Sequence, residues 1–132
     1  MKKFLKKLFS KDEDDMEIAG LPQDEKATFI LKVEDIDLGI LKSENGEWIF
    51  MYTDDFKKYG EKYTTIVGFP DVDKIYRSEM LWPFFRIRIP GLKQPAIQEI
   101  LEKEKINEQN EVQLLKRFGK KTIANPYQLL SA

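Results

Sequence analysis

The 132-residue sequence contains no cysteine and no histidine. Without cysteine there is no disulfide framework and no thiolate nucleophile. Without histidine the chain lacks the commonest general base and the commonest transition-metal ligand. The glycines are scattered, so the sequence has no glycine-rich phosphate loop. We therefore predict no catalytic, cofactor-binding or metal-binding residues, and we interpret the many carboxylates as solvated charge rather than as an acid–base pair.

Long apolar runs are also missing. No segment approaches the roughly 20 apolar residues of a transmembrane helix, and the lysine-rich start is not followed by the apolar region of a secretory signal. The formal net charge is only −1, so the chain as a whole has no strong attraction to nucleic acid or acidic membranes. We predict a cytoplasmic protein without direct nucleic-acid contacts.

Charge is nevertheless unevenly distributed near the start of the chain. Residues 1–11 carry five lysines and no acid, whereas residues 12–25 carry seven acids and no base. We predict that residues 1–26 form a charged, flexible extension and that residues 27–132 form the folded domain. Residues 1–10 also have the spacing of a short amphipathic helix, with four apolar residues on one face: Phe4, Leu5, Leu8 and Phe9. Two interpretations stay open for it, a frayed terminus or a helix that docks on a membrane surface or a partner.

Strand patterns occupy the first half of the domain. Alternating apolar residues predict strands over residues 28–33 and 36–42, and a further strand over residues 64–69 that stops at Pro70. A short extended piece is expected at Ile75-Tyr76. In the second strand, alternation places three residues on one face: Ile36, Leu38 and Ile40.

The strongest local signal is Asn45-Gly46, a dipeptide that predicts a tight hairpin because both residues tolerate positive φ. The return strand is expected over residues 48–52. A two-residue turn fixes the register and so predicts two cross-strand pairs, Leu41 with Phe50 and Ile40 with Met51. Both faces of the hairpin therefore carry apolar side chains. One face should meet the core, and the other should be covered by a later segment or by a partner.

The second half of the chain changes to helical spacing. Apolar residues predict a helix from Pro95, which suits a first helical position, to about Lys105. A second helix is expected from about Asn107 to a stop at Gly119. Strands first and helices later predict an α+β fold: a small antiparallel sheet with a β-hairpin, followed by two or three C-terminal helices packed on one side.

Between the two halves lies Leu81–Pro90, which we call the central stretch. Its prolines exclude a long helix or a central strand. If it is extended, its two arginines share a face, and arginine beside aromatic residues is typical of interface hot spots. The alternatives are two surface arginines over a buried aliphatic row, and Trp82 as a core residue. We assign Phe84 to the core and predict four partner-binding residues: Trp82, Phe85, Arg86 and Arg88.

Six short motifs follow one another along the domain. They are Gly39-Ile40-Leu41, Asn45-Gly46, Phe50-Met51-Tyr52-Thr53-Asp54, Thr65-Ile66-Val67-Gly68-Phe69-Pro70, Pro83-Phe84-Phe85 and Leu114-Leu115-Lys116-Arg117-Phe118-Gly119. In this order they resemble the N-terminal subdomain of HipA-type serine/threonine kinases of bacterial toxin–antitoxin systems, over residues 28–125. The chain departs from that pattern at residues 86–91, where the kinases have Leu-Leu-Pro-Glu, and it ends before a kinase core.

The resemblance implies a binding role rather than a reaction. A freestanding version of this subdomain is similar to HipS, an antitoxin that accompanies a shortened kinase, HipT, and a DNA-binding protein, HipB. The resemblance thus implies a non-catalytic, antitoxin-like subunit that binds and restrains a HipT- or HipA-like kinase, in a system that includes a HipB-like protein. No motif assigns an inhibitory residue.

Two other classes of function stay open. A structural or membrane-associated adaptor would use residues 1–10 as its anchor, and an enzyme would use paired carboxylates. A shortened HipA-like kinase gene beside this one would favour the antitoxin interpretation over both.

Overall fold

The computed structural model describes residues 26–58 and 64–132. Within these ranges the strands are β1 Ala27–Val33, β2 Ile36–Glu44, β3 Glu47–Tyr52, β4 Tyr76–Ser78 and β5 Gln128–Ser131. The helices in the same ranges are α1 Asp54–Lys58, α2 Pro83–Arg86, α3 Pro95–Glu104 and α4 Glu111–Phe118. Apart from Lys26, the predicted extension 1–26 lies outside the described residues.

The strands form one antiparallel sheet in the order β4-β3-β2-β1-β5. Asn45 and Gly46 join β2 to β3 with φ angles of 53° and 80°, the left-handed values that a type I′ turn requires. The predicted cross-strand pairs, Leu41 with Phe50 and Ile40 with Met51, are both present. The hairpin prediction is therefore confirmed in its turn and in its register.

The ladder between β1 and β2 contains a bulge at Leu38, which has no partner in β1. An extra residue reverses the alternation of side chains beyond it, so Leu38 and Leu41 both lie in the hydrophobic core. Ile40 is only half-buried and lies outside that core. The prediction that Ile36, Leu38 and Ile40 share a face is therefore wrong for Ile40.

Phe50 on β3 lies at the centre of the core. Its ring centroid is 5.2 Å from that of Tyr52, 4.5 Å from that of Phe69 and 5.5 Å from that of Phe85. Helix α4 contributes two residues to the same core, Val112 and Leu115. Burial of each such large apolar side chain contributes about 1.5–3 kcal/mol. Helical segments packed on a small antiparallel sheet confirm the predicted α+β fold class.

The strand predicted over residues 64–69 is wrong, because the chain curls there instead. The backbone N–H of Phe69 donates to the carbonyl oxygen of Ile66 at 2.9 Å, and Gly68 has a φ of 97°. The hydroxyl of Tyr52 holds both ends of this curl, since it accepts from Ile66 N–H at 2.9 Å and donates to Phe69 O at 2.6 Å. Bonds to one side chain thus replace the strand ladder.

The sequence predicted one of the two edge strands and missed the other. The extended piece predicted at Ile75-Tyr76 is confirmed for Tyr76, which begins β4, whereas Ile75 lies outside the strand. Strand β4 pairs with β3 through three residues. The strand β5 was not predicted. It pairs with β1 through four residues, from Gln128 opposite Lys32 to Ser131 opposite Phe29, and so brings the end of the chain back to the sheet.

Helix α3 matches its prediction, with Pro95 as its first residue and Lys105 as a left-handed C-cap of φ 58°. Helix α4 starts later than predicted, because Asn110 is its N-cap and accepts a backbone hydrogen bond at 3.1 Å. It ends at Gly119 as predicted, although Gly119 has a φ of −83°. A Cβ atom at that position would lie 2.6 Å from the carbonyl oxygen of Leu115, so close approach explains the glycine there.

Candidate partner-binding surface

The central stretch forms one helical turn and not an extended segment. Trp82 is an extended N-cap and Pro83 is the first residue of α2, where its fixed φ suits a helix start and its missing N–H costs nothing. Beyond α2, the backbone N–H of Arg88 donates to the carbonyl oxygen of Phe85 at 3.1 Å. The expectation that Arg86 and Arg88 share a face of an extended segment is therefore wrong.

The helical turn places the two arginines in different environments. Arg86 is exposed, and its Nη2 lies 3.5 Å from Oε2 of Glu111. A surface ion pair of this kind contributes about 0–1 kcal/mol. Arg88, in contrast, is only 4% exposed. Only Arg86 therefore presents its guanidinium at the surface.

The Arg88 guanidinium is held by oxygen acceptors near the end of α4 and beyond it. Nη1 donates to the carbonyl oxygens of Gly119 at 3.0 Å and Lys120 at 3.3 Å. Nη2 donates to Oδ1 of Asn125 at 3.1 Å and to the carbonyl oxygen of Tyr127 at 2.9 Å. The helix C-terminus carries partial negative charge and so favours a cation. Burial lowers the pKa of Arg88 to about 10, which still leaves the side chain protonated at neutral pH.

The two phenylalanines of the central stretch differ in burial, and it is Phe85, not Phe84, that lies fully inside the core. Phe85 is fully buried, and its ring packs against that of Phe50 in the core. Phe84 is half-buried at the edge of the core, with its ring centroid 6.0 Å from that of Tyr127. Phe85 therefore fills the core, and Phe84 covers the segment that leads into β5.

Trp82 combines both roles that the sequence left open. Its ring stands edge-on to Phe69 at a centroid distance of 5.1 Å, yet the residue is only half-buried. Packing against Phe69 fixes the orientation of the indole while part of the ring stays accessible. A rigid aromatic side chain that is partly exposed loses little conformational entropy when it binds a partner.

Two apolar residues close to Trp82 and Arg86 in the sequence are also accessible. Met80 is 64% exposed and Ile87 is 51% exposed. Together with Trp82 and Arg86 they form what we call the central surface, which is defined by Met80, Trp82, Arg86 and Ile87. Exposed apolar side chains that are rimmed by polar residues mark interaction sites when they are contiguous.

The sheet carries a second apolar surface on the face opposite the core. The register aligns one residue from each of four adjacent strands, namely Met51, Ile40, Ile30 and Leu130. All four are half-buried and lie outside the core, and Ile49 beside them is 6% exposed. We call this the second sheet face. The prediction that both faces of the hairpin carry apolar residues is confirmed.

The described ranges offer few features that suggest a metal site, a ligand pocket or a membrane-spanning helix. They hold no group of three or more acidic side chains placed to bind a metal ion. An open groove along α3 is lined in part by Glu99, Glu102 and Glu108. None of the helices in residues 26–58 and 64–132 has the length and apolar composition that a bilayer crossing requires.

The architecture places the chain among small α+β domains whose antiparallel sheet is covered by short helices. A family model described as HipA N-terminal domain matches residues 30–124, which run from β1 past the end of α4 and include the whole central stretch. This is well over half of the chain, which therefore belongs to the HipA N-terminal domain family. Neither a curated protein nor a solved structure gives a significant match.

Proposed function

We propose that this protein is a non-catalytic binding subunit that docks on a HipA-type serine/threonine kinase and restrains it, as the antitoxin of a toxin–antitoxin system. The observation that carries the proposal is the family match over residues 30–124. The exposed central surface supports it, because Met80 and Ile87 present apolar area that a partner can bury. Each Å² so buried contributes about 25 cal/mol before the costs of association are subtracted.

Trp82 and Arg86 are the direct contacts that we propose. Trp82 offers a large apolar ring and one N–H donor, a combination that is enriched in interface hot spots. Arg86 is engaged by Glu111 only at 3.5 Å, so a partner carboxylate can replace that weak pair with two parallel hydrogen bonds to the guanidinium. Lysine could not reproduce this fork geometry. The matching partner surface is an apolar pocket beside a carboxylate.

Phe85 and Arg88 support binding indirectly. Their side chains are 0% and 4% exposed, so in this conformation neither reaches a partner. Phe85 anchors the helical turn in the core, and Arg88 fixes its far end. Truncation of either residue would weaken binding through the fold.

Calorimetry with a HipA-type kinase encoded beside this protein's gene tests the proposal. Trp82→Ala and Arg86→Ala should each weaken binding at least about tenfold, since truncation of an anchor costs about 2 kcal/mol or more. Two matched controls should bind like the unmodified chain. Ile123→Ala removes an exposed apolar side chain elsewhere, and Arg77→Ala removes an exposed arginine that pairs with Glu47 at 2.8 Å.

Restraint of the kinase is measured separately from binding. Addition of the unmodified protein should slow kinase autophosphorylation, and the protein alone should neither bind Mg-ATP nor transfer phosphate. A kinase that shows no binding to the unmodified chain would rule the proposal out. If Trp82→Ala and Arg86→Ala bind as tightly as the unmodified chain, the interface lies elsewhere, and the second sheet face is the next candidate, at its half-buried residues Ile40 and Met51.

A further inference from the structure

The segment that follows α4 meets the central stretch at two contacts. Arg88 donates four hydrogen bonds to acceptors spread over residues 119–127. The ring of Phe84 lies 6.0 Å from the ring of Tyr127, and Cζ of Arg88 lies 5.9 Å from the Phe84 centroid. Both contacts involve Tyr127, which directly precedes β5. The end of the chain is thus fastened to the turn that carries the central surface.

The acceptors of Arg88 form an unusual set for a buried cation. All four are uncharged carbonyl or amide oxygens, and the residue is 4% exposed. In the described part of the chain its buried Nε has no hydrogen-bond partner. A buried charge is strongly destabilising when a partner is removed. The arrangement is therefore stable only while residues 119–127 stay in place.

One short helical turn connects Arg88 to the central surface. The backbone N–H groups of Phe85 and Arg86 both donate to the carbonyl oxygen of Trp82 at 3.0 Å, and that of Arg88 donates to Phe85 at 3.1 Å. These bonds leave the turn little freedom to flex. They link the backbone of Arg88 through Phe85 to Trp82 and so give a displacement of Arg88 a path to the central surface.

We infer that Arg88 is a positioning residue, which makes the geometry of the central surface depend on the docking of residues 119–131 against the sheet. Strand β5 is an edge strand that pairs with β1 through only four residues, and edge elements with few backbone bonds are among the parts of a fold that open locally. Release of β5 withdraws acceptors from Arg88 and loosens the turn. The use of this coupling in partner binding rests on the proposed function, whereas the coupling itself does not.

Asn125 is the position at which to test the coupling. Its side-chain oxygen accepts from Arg88 and from the backbone N–H of Tyr127. Asn125→Asp keeps the shape and gives the guanidinium a charged partner, while Asn125→Ala removes the acceptor. Thr122→Ala is the control, since Thr122 accepts from Ala124 in the same region without contacting Arg88.

The coupling is measured by amide hydrogen exchange of the full chain, as the exchange rates of the backbone N–H groups of residues 85–89. Because hydrogen bonds to charged groups are among the stronger ones, Asn125→Ala should accelerate exchange there about tenfold and Asn125→Asp should slow it by about threefold or more. Thr122→Ala should leave these amides at the unmodified rate, and the amides of β2 and β3 serve as internal reference in all variants. If Asn125 only stabilised the packing of residues 122–127, its two substitutions would not change the exchange rates of the central stretch in opposite directions.

The outcomes separate this inference from the proposed function. If residues 85–89 exchange at the unmodified rate in Asn125→Ala, the coupling is overturned, whatever the kinase does. If they respond, calorimetry with the same HipA-type kinase decides the positioning role: Asn125→Ala should bind several-fold more weakly and Asn125→Asp at least as tightly as the unmodified chain. Unchanged binding by Asn125→Ala overturns that role. Failure of the unmodified chain to bind any such kinase overturns the proposed function, and the exchange result still decides the coupling.

Discussion

The ring of Phe50 lies directly over the backbone of Gly39. A Cβ atom on residue 39 would fall 2.5 Å from Cε1 and 2.6 Å from Cζ of that ring, well inside van der Waals contact. Phe50 is fully buried and packs against three other aromatic rings, so it has no free space into which to move. The glycine of the Gly-x-Leu motif is therefore required by the aromatic residue of the return strand.

We expect Gly39→Ala to destabilise the fold by about 1–3 kcal/mol, the usual cost of overpacking a core. The control is Gly91→Ala, where the new Cβ would meet only the end of the flexible, exposed side chain of Gln94. Urea unfolding of both variants measures the two free energies. An unchanged unfolding midpoint in Gly39→Ala would show that the Phe50 ring does not occupy this position.

The hairpin was predictable because its determinants are local. Asn45 and Gly46 fix the turn, and a two-residue turn leaves one register, so the pairing of Leu41 with Phe50 follows without knowledge of the rest of the chain. The bulge at Leu38 was not predictable, because the alternating apolar and polar residues of β2 give no sign of an extra residue in the strand. It decides which face Ile40 occupies, and hence what the second sheet face contains.

Features that depend on distant side chains were missed. The apolar run at residues 64–69 has a strand pattern, but the hydroxyl of Tyr52 binds both Ile66 and Phe69 and curls the segment. Likewise, no local pattern shows that Arg88 would find its acceptors more than thirty positions later, at Gly119 and beyond.

The two arginines of the central stretch should differ sharply in their effect on stability. Arg88→Ala removes a buried side chain and the donor to the carbonyl oxygens of Gly119, Lys120 and Tyr127, of which the bond to Gly119 is buried, so we expect a loss of about 2–5 kcal/mol. Arg86→Ala removes one exposed ion pair and should cost less than about 1 kcal/mol. Thermal and urea unfolding compare the two variants directly. Equal, small losses would contradict the burial of Arg88.

The attachment of β5 can be measured with two adjacent leucines. Leu129 is 3% exposed and belongs to the core, whereas Leu130 is half-buried on the second sheet face. Leu129→Ala should cost about 2–5 kcal/mol, and Leu130→Ala should cost clearly less because less area is lost from burial. Both variants carry the same substitution in the same strand, so they differ only in the face of the sheet on which the leucine lies. A larger loss for Leu130→Ala would place the core on the other side of β5.

The last prediction concerns alkaline pH and the buried hydroxyl of Tyr52. Burial raises the pKa of Tyr52 above its ordinary value of 10, although the hydrogen bond from the Ile66 backbone opposes this shift. Ionisation would also remove the proton that Tyr52 donates to Phe69 O at 2.6 Å. The folded state thus holds this proton to a higher pH than the unfolded state does. The stabilisation is fully present below pH 10 and is lost as the pH rises through the raised pKa of the folded state.

We therefore expect the free energy of unfolding to fall above about pH 10, and Tyr52→Phe to respond differently. At neutral pH that variant should be less stable by about 1–3 kcal/mol, because the N–H of Ile66 and the carbonyl of Phe69 lose their partner. It has no hydroxyl to ionise, so its deficit relative to the unmodified chain should shrink as the pH rises from 9 to about 11. Urea unfolding across this range measures the deficit, and absorbance at the wavelength of tyrosinate follows the titration. A deficit that stays constant with pH would mean that Tyr52 ionises as readily in the folded chain as in the unfolded one, and a deficit that grows would mean that it ionises more readily; either result contradicts the raised pKa.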